Sequence, residues 1–396
     1  MPGCVFQLRD WSGSGTQMSI IVFWTAASLL VLTFGGYSLV IMLISVFFRD
    51  SVRQAAIEPS VTFLITAYNE QLHIGDKLAH TLSLDYPREK LQILVASDGS
   101  SDDTDRIVER FSAEGVRLIR VEGRRGKTAA QNEAVKHASG EIIIFSDATT
   151  HYSSNVIRKL VRNYADERVG AVGGRFHYSN NGGTAVGLGT VLFWKYETLL
   201  KSLLSRIWSI IGCSGCIYSI RSSLYVPLPP EIISDLCEPL KILEKGYRVV
   251  FEPDAIAFEE TTTKAKQEFA MRVRVISRGM HGLLYMKSLF NPIRHPFLSV
   301  HLFFHKLLRW GFPLTMAAMF IANAFLLDRP FYLAIFVLSS LLIVAAATGA
   351  VMERNCSPPK VLGLPLYLAT VGAASLVAMY RVIKGKRATV WETIRS

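Results

Sequence analysis

The hydrophobic residues of this chain are concentrated in long, uninterrupted stretches at its two ends. Residues 18–48 contain no charged side chain, and further apolar stretches occupy residues 311–327, 331–352 and 361–380. About 20 apolar residues span the hydrocarbon core of a bilayer, so this pattern predicts transmembrane helices at both ends. A cleavable signal peptide has a shorter apolar core, and a single buried core helix does not explain a set of such stretches.

Between these ends the pattern alternates between short apolar strands and amphipathic helices. In residues 141–146 four apolar side chains follow one another, from Ile142 to Phe145, as in a strand buried on both faces. Further strands are expected at 61–67, 91–97 and 116–121, and helices at 70–82, 102–111 and 127–138. This alternation predicts an α/β domain with a mainly parallel sheet and helices on both of its faces.

Composition and charge agree with a folded membrane protein. Half of the 396 residues are hydrophobic and 19% are charged, which excludes a disordered chain. Five cysteines over this length exclude a disulfide scaffold. The net charge is +11, and Arg9 and Asp10 are the only charged residues before position 49. By the positive-inside rule, the basic middle of the chain is expected in the cytoplasm.

The C-terminal stretches raise a conflict over the number of crossings. Three full crossings after a cytoplasmic domain would leave the basic residues 381–387 outside, against the positive-inside rule. The stretch at 361–380 opens with Gly363 and Pro365. It is therefore the segment expected to be re-entrant or interfacial.

A separate amphipathic helix is predicted for residues 291–310. Apolar residues at helical spacing are interleaved there with His301, His305, Lys306 and Arg309, a pattern typical of a helix that lies in the interface. These cations are expected to face water and headgroups. The alternative is that the segment simply begins the next span, with its cations reaching back to the interface.

These patterns divide the chain into five parts. They are an N-terminal transmembrane anchor (1–50), a cytoplasmic α/β domain (51–290), an interfacial amphipathic helix (291–310), C-terminal transmembrane helices (311–384) and a basic tail (385–396).

Polar side chains follow the predicted strands, at the edge where parallel sheets bind ligands. The segments concerned are 66–70 (TAYNE), 98–100 (DGS) and 147–149 (DAT), and the cationic segment 124–127 (RRGK) precedes the fourth strand. Carboxylates next to a cluster of Lys and Arg suit a divalent cation bound to a diphosphate. A single Asp after a strand is more often a helix cap, which is the interpretation of Asp102, but three strand ends in succession favour a ligand site.

Six ordered motifs in the middle of the chain resemble the family 2 glycosyltransferases, which are nucleotide-diphospho-sugar enzymes. The motifs are VTFLITAYNE (61–70), ILVASDGSSDDT (93–104), GRRGKTAAQNEAV (123–135), IIIFSDATT (142–150), GCSGCIYSIR (212–221) and ISDLCEPLKILEKGYRVVFEP (233–253). The resemblance covers roughly residues 58–280 and implies the GT-A fold, a Rossmann-like α/β domain with a mainly parallel sheet. The flanking apolar segments resemble the membrane-bound branch that builds polysaccharides or glycolipids.

The resemblance also implies roles for individual residues. It implies a nucleotide-sugar pocket formed by residues that follow the predicted strands, namely Thr66, Tyr68, Glu70, Asp98 and Lys127. Asp98 corresponds to the aspartate that reads uracil, which favours a UDP-sugar as donor. Asp147 begins the D-x-D motif and implies Mg²⁺ or Mn²⁺ as cofactor. Asp235 corresponds to the acidic residue that acts as catalytic base.

The chain departs from the family pattern at three places. Ser97 replaces the first acid of D-D-G-S, and Thr149 stands where D-x-D has its second acid. The metal is therefore expected to use Asp147, water and phosphates, or to bind weakly. Residues 272–279 contain three arginines but lack the tryptophan of the Q/R-x-x-R-W signature of cellulose-, chitin- and hyaluronan-type synthases. Long-chain processive synthesis is thus not implied, and these arginines either contact phosphates or form a basic face near the membrane.

The resulting hypothesis is a multi-pass membrane enzyme that transfers a sugar, with inversion, from a UDP-sugar to a polysaccharide, oligosaccharide or lipid acceptor. Its expected partners are the donor, the acceptor, the bilayer and a possible export or synthase complex, but no nucleic acid. Two alternatives stay open, a transport component for a lipid-linked glycan and a catalytically inactive binding subunit of an export system. Donor hydrolysis or sugar transfer by the purified protein distinguishes all three.

Overall fold

A computed structural model describes residues 10–179, 185–260, 264–356, 358–387 and 389–390. The first nine residues of the predicted anchor and most of the predicted basic tail lie outside the described residues. The N-terminal apolar stretch forms one long helix, made of α1 (Asp10–Val31), a π-helical turn (Leu32–Gly36) and α2 (Tyr37–Phe47).

Within the described residues, the middle of the chain forms one eight-stranded sheet. Its strands are β1 (Val61–Ala67), β2 (Leu91–Ser97), β3 (Val116–Arg120), β4 (Ile142–Asp147), β5 (His151–Tyr152), β6 (Val169–Ser179), β7 (Tyr218–Arg221) and β8 (Arg248–Glu260). The spatial order is β3-β2-β1-β4-β7-β6-β8-β5. The first four strands in this order, β3, β2, β1 and β4, are parallel to one another, and β6 is parallel to β8. Strand β7 runs antiparallel to β4 and β6, and β5 runs antiparallel to β8. The predicted mainly parallel sheet is confirmed.

The central strands are apolar throughout because both of their faces are covered. In β4, Ile143 and Phe145 contribute to the core on one face, and Ile142 and Ile144 to the core on the other. The helices around the sheet are α3 (Ile74–Leu82), α4 (Thr104–Glu109), α5 (Lys127–Val135), α6 (Val156–Val161), α7 (Ala185–Ile207), α8 (Ser234–Glu244) and α9 (Ala265–Tyr285). Because β1, β2 and β4 are parallel neighbours, the polar residues expected after them lie at one edge of the sheet.

Among the described residues, three helices are long and apolar enough to cross a membrane: Gly15–Phe47, Pro330–Met352 (α12) and Lys360–Ile383, which contains α13 (Gly363–Ile383). The remaining predicted stretch, 311–327, lies mostly in α11 (Leu308–Ala324), which is not one of them. Nevertheless, α11 packs antiparallel to the N-terminal helix. Phe34 meets Phe312 at one end, and Phe23 shares a buried cluster with Ala322 at the other.

The predicted interfacial helix at 291–310 is not a separate element. One helix runs from α10 (Pro296–Leu302) through a π-helical turn (Phe303–Leu307) into α11. His301 and His305 are each 4% exposed, and His305 and Arg309 contact Glu197 of α7. The expectation that these residues face water and headgroups is therefore wrong for His301, His305 and Arg309. The buried Glu197 carboxylate attracts His305 and Arg309 inward, and His301 Nδ1 lies 3.0 Å from the Tyr37 hydroxyl.

Both ends of α13 lie against the α/β domain. Near its beginning, the Tyr367 hydroxyl accepts a hydrogen bond of 3.0 Å from Arg272 of α9. Just after its end, Arg387 forms an ion pair of 2.6 Å with Glu231. Because α13 is also long and apolar enough to cross a membrane, its assignment as an interfacial or re-entrant segment stays a prediction.

Candidate active site

A cavity of about 660 Å³ opens at the carboxyl ends of β1 and β4 and extends toward α7, α9, α11 and α13. Most of the site residues predicted from the sequence line it, namely Thr66, Glu70, Lys127, Asp147 and Asp235. Tyr68 and Asp98, the other two predicted residues, lie at the same edge of the sheet but do not line the cavity.

The pairing of β1 with β4 brings the first of these residues together. The strands are parallel neighbours, and their register places Thr66 beside Asp147. The Thr66 hydroxyl is buried and has no hydrogen-bond partner among the described residues. An unsatisfied buried hydroxyl costs about 1–3 kcal/mol, so this oxygen marks a position where a ligand atom would stabilise the fold.

Asp98 is fully buried and its carboxylate is engaged by the backbone. It accepts a hydrogen bond of 2.8 Å from the Arg125 N–H and bonds of 2.9 and 3.0 Å from the Gly126 N–H. Gly126 adopts a φ of 96°, which favours glycine, and precedes the first residue of α5, Lys127. Burial raises the pKa of Asp98, and the backbone N–H groups oppose this shift. In this structure Asp98 therefore fixes the loop that aims Lys127, and its role in reading a base stays a prediction.

The segment after β1 is anchored to the segment after β2. Asn69 has a left-handed φ of 51°, and its side-chain oxygen accepts a hydrogen bond of 2.9 Å from the Ser101 N–H. The guanidinium group of Arg124 lies 4.1 Å from the centre of the Tyr68 ring. This cation–π pair lies beside the loop that Asp98 holds, where the resemblance places the nucleotide.

Two charged side chains, Lys127 and Asp235, approach Gly215, and Lys127 links them to Asp147. Lys127 Nζ forms an ion pair with Asp147 and donates a hydrogen bond of 3.2 Å to the Gly215 carbonyl oxygen. A Cβ atom on Gly215 would lie 2.7 Å from Asp235 Oδ2 and 3.4 Å from Lys127 Nζ. Only glycine leaves this space open, so a residue with a side chain would displace the Asp235 carboxylate.

Asp235 lies in the first turn of α8, where its backbone oxygen accepts a hydrogen bond of 2.8 Å from the Cys213 N–H. Cys213 and the nearby Cys216 are free cysteines, and burial raises the pKa of both thiols. Burial also raises the pKa of the Asp235 carboxyl group, and Lys127 and Lys306 partly offset that shift. A raised pKa makes Asp235 a stronger base than an exposed aspartate, which suits proton transfer at this position.

The second position of the D-x-D motif is occupied by a hydroxyl group. Thr149 Oγ1 donates a hydrogen bond of 3.3 Å to Oε1 of Glu259, which also lines the cavity. Among the described residues there is no group of three or more His, Cys, Asp or Glu side chains that could hold a metal ion by itself. The carboxylates of Asp147 and Glu259 are nevertheless the hard oxygen donors that Mg²⁺ and Mn²⁺ prefer, so the residues present fit a cation that is also held by phosphates.

The far side of the cavity contains charged residues that the sequence analysis missed. Glu197 of α7 forms contacts of 3.2 Å with His305 and 2.8 Å with Arg309. Lys201, one turn after Glu197, and Lys306 also line the cavity. The signal that could have found them is a pair of charged residues four positions apart in the otherwise apolar face of α7.

The three arginines of α9 have different environments. Arg278 donates hydrogen bonds of 2.9 Å to the Thr128 hydroxyl and 2.8 Å to the Ile232 carbonyl oxygen, so it ties α9 to the neighbouring elements. Arg272 pairs with Glu268 at 2.7 Å. Arg274 lines the cavity, as the other two also do. All three arginines border the cavity and none of them is exposed, so they do not form a solvated basic face.

Comparisons with known proteins identify the domain and the fold. Residues 62–225 match the model of glycosyl transferase family 2. The chain is 26% identical over 285 residues to the probable glycosyltransferase YdaM of Bacillus subtilis, a match that covers 67% of each chain. It is 27% identical over 234 residues to the poly-beta-1,6-N-acetyl-D-glucosamine synthase of Staphylococcus aureus, which covers 57% of this chain and 55% of the synthase. The match thus spans about half the length of that synthase.

A solved structure shows the same fold. The mannosyltransferase PcManGT from Pyrobaculum calidifontis, in complex with GDP-Man and Mn²⁺, superposes with a TM-score of 0.71. The superposition covers 92% of this chain and 100% of the mannosyltransferase, at 21% sequence identity. The architecture is therefore a GT-A domain joined to apolar helices suited to a membrane. Motifs, family model, relatives and fold agree, and residues 62–225 form a family 2 glycosyltransferase domain.

Proposed function

We propose that this enzyme is membrane-embedded and transfers a sugar, with inversion, from a UDP-sugar to a glycan or lipid acceptor at the bilayer. The observation that carries the proposal is that Lys127 and Asp235 both approach Gly215, while Lys127 also pairs with Asp147, inside one cavity. A cation, a metal-binding carboxylate and a buried base are the groups that this reaction needs. The similarity to a poly-N-acetylglucosamine synthase makes UDP-N-acetylglucosamine the first donor to test.

The donor is bound along the edge of the sheet. The Tyr68–Arg124 pair and the loop held by Asp98 receive the nucleotide, while Thr66 and Glu70 line the cavity beneath it. Asp147 is the residue that would hold Mg²⁺ or Mn²⁺, which would supply positive charge to neutralise the diphosphate. Lys127 adds a fixed positive charge next to the same position.

Asp235 acts as the catalytic base. Oδ2 takes the proton of the acceptor hydroxyl as its oxygen attacks the anomeric carbon, and the bond from that carbon to the diphosphate oxygen breaks. Lys127 stabilises the charge that develops on the departing diphosphate. Because one displacement occurs without a covalent intermediate, the anomeric centre is inverted. General-base catalysis of this kind contributes about 10²–10⁴-fold to the rate.

The acceptor reaches Asp235 from the membrane side. Apolar residues of α11 and α13 line that end of the cavity, among them Trp310, Phe312, Leu364 and Leu368. If the N-terminal helix, α11 and α12 cross the bilayer while α13 stays on the side of the catalytic domain, residues 381–387 are cytoplasmic. This arrangement satisfies the positive-inside rule and places the catalytic domain in the cytoplasm.

The test is the Asp235→Asn variant, purified in lipid nanodiscs. We expect it to bind UDP-N-acetylglucosamine like the wild type, while UDP release during transfer falls at least about 100-fold because the base is lost. Asp85→Asn, which removes an exposed carboxylate paired with Arg158, is the matched control and should retain activity. Undiminished turnover by Asp235→Asn would remove Asp235 from the mechanism.

A further inference from the structure

A carboxylate from a distant strand lies next to the incomplete D-x-D motif. Glu259 Oε1 is 3.3 Å from Thr149 Oγ1, at the position where the motif lacks its second acid. An aspartate at this position would carry its carboxylate oxygens about one bond beyond the site of Oγ1. Glu259 therefore brings a negative oxygen to the space that the missing acid would occupy.

The register of the sheet explains why Glu259 lies there. It is close to the end of β8, which pairs antiparallel with β5, and His151 lies opposite Phe258. Because β5 begins two residues after Thr149, this pairing holds the end of β8 beside the motif. A separation of 110 residues hides this neighbour from any local sequence pattern.

Two geometric features favour a ligand near Asp147 and Glu259. Both carboxylates line the same cavity. The buried Thr66 hydroxyl, beside Asp147 in the sheet register, lines this cavity without a hydrogen-bond partner among the described residues. A cation with its bound diphosphate would contact both carboxylates and supply an acceptor for the Thr66 hydroxyl.

We propose that Glu259 supplies the second protein carboxylate of the divalent-cation site, in place of the acid that Thr149 cannot provide. The assignment rests on the metal-dependent donor binding proposed above. Magnesium and manganese sites that bind substrate phosphates take one or two protein carboxylates, and Asp147 with Glu259 meets that number. Thr149 is a positioning residue, because its hydroxyl donates to Glu259 and orients that carboxylate.

The test measures Mn²⁺ binding rather than catalysis. Free Mn²⁺ is titrated by electron paramagnetic resonance with the full chain in nanodiscs, in the presence of UDP. Glu259→Gln should weaken Mn²⁺ binding by at least about tenfold, the smallest loss produced even by groups that only orient a metal ligand. Thr149→Asp combined with Glu259→Gln should recover most of the affinity, because it returns a carboxylate to the motif. Glu122→Gln removes an exposed carboxylate outside the cavity and should bind Mn²⁺ like the wild type.

Wild-type Mn²⁺ affinity in Glu259→Gln would overturn the assignment, as would a double variant that folds but does not recover. Glu259→Asp serves if the glutamine variant does not fold, since it keeps the charge but withdraws the carboxylate by one methylene. If Glu259 is a metal ligand, this variant should bind Mn²⁺ more weakly than the wild type. Unchanged Mn²⁺ affinity would show that Glu259 is not a ligand. Failure of the wild type itself to bind Mn²⁺ with UDP would overturn the proposed metal dependence, and the assignment with it.

Discussion

The cavity has two walls that the chain builds in different ways. The sheet wall, formed by Thr66, Glu70, Lys127 and Asp147, comes from successive β–α units, and each residue lies at or just after a strand end or at a helix start. The helix wall, formed by Glu197, Lys201, Lys306 and Arg309, comes from two helices about a hundred residues apart. Strand ends meet at one edge in any parallel sheet, whereas the helix wall depends on tertiary packing. The positions of the functional residues on the sheet wall therefore follow from local sequence, whereas those on the helix wall depend on contacts between distant segments.

The largest effect should follow from breaking the helix wall at its buried ion pair. Glu197 is 5% exposed and contacts both His305 and Arg309. Glu197→Gln leaves the Arg309 charge buried without its partner, so we expect the free energy of unfolding to fall by about 3–5 kcal/mol. Denaturant unfolding of the protein in detergent measures this loss.

The control for this variant is Glu133→Gln. It removes a surface pair with Lys136, which is worth about 0–1 kcal/mol. If Glu197→Gln were no less stable than Glu133→Gln, the helix wall would not be held by its buried charges.

On the sheet wall, the largest expected effect is on catalysis rather than on stability. Lys127→Ala removes the cation that contacts Asp147 and faces the departing diphosphate. We expect kcat to fall by about 10²–10³-fold, the usual consequence of losing one preorganised electrostatic group. Steady-state UDP release gives kcat, and Lys136→Ala, just beyond the end of the same helix, is the matched control. A loss confined to stability would contradict the difference drawn between the walls.

The sheet wall could be predicted because its determinants are local. The strands at Val61–Ala67 and Leu91–Ser97 have the predicted bounds, and the predicted Asp147 ends β4. Apolar runs of this length form buried strands wherever helices cover both faces. The resemblance then supplied the roles of Lys127 and Asp235, which the cavity brings together.

The rest depends on contacts between residues far apart in the chain. His305 and Arg309 were expected to face water because their spacing is amphipathic, but the spacing does not reveal the buried Glu197 that attracts them. Similarly, Glu259 reaches Thr149 only because β8 pairs with the two-residue strand β5. An isolated amphipathic pattern shows which residues share a face, not what covers that face.

A smaller effect should separate donor binding from folding on the sheet wall. Thr66→Val removes a buried hydroxyl that has no partner among the described residues and keeps the shape of the side chain. We expect the free energy of unfolding to be unchanged or slightly higher, because no hydrogen bond within the described fold is lost. Donor binding should weaken about tenfold, which is the contribution of one hydrogen bond between Thr66 and the donor. Isothermal titration with UDP-N-acetylglucosamine measures the binding. Wild-type affinity would show that the Thr66 hydroxyl does not contact the donor.

The pH dependence should show the raised pKa of Asp235, which lies between the two walls. Burial raises this pKa above the ordinary value of 3.8, and the base works only when ionised. As the pH falls below the raised pKa, kcat/KM should drop about tenfold per unit. The contribution of Asp235 to the free energy of unfolding has a pH dependence opposite to that of kcat/KM. This contribution is fully present below pH 3.8 and is lost as the pH rises through the raised pKa. An acid limb at the ordinary value of an exposed aspartate would contradict the assignment of Asp235 as a buried base.

The anomeric configuration of the product tests the central claim most directly. Purified wild-type protein in nanodiscs is incubated with UDP-N-acetylglucosamine, whose sugar is α-linked, and an acceptor. The configuration of the first product is then read from the proton coupling constant of the anomeric centre by nuclear magnetic resonance. A single displacement assisted by Asp235 predicts a β-linked product. An α-linked product would require a second displacement or another geometry of attack, and would contradict the mechanism built on Lys127, Asp147 and Asp235.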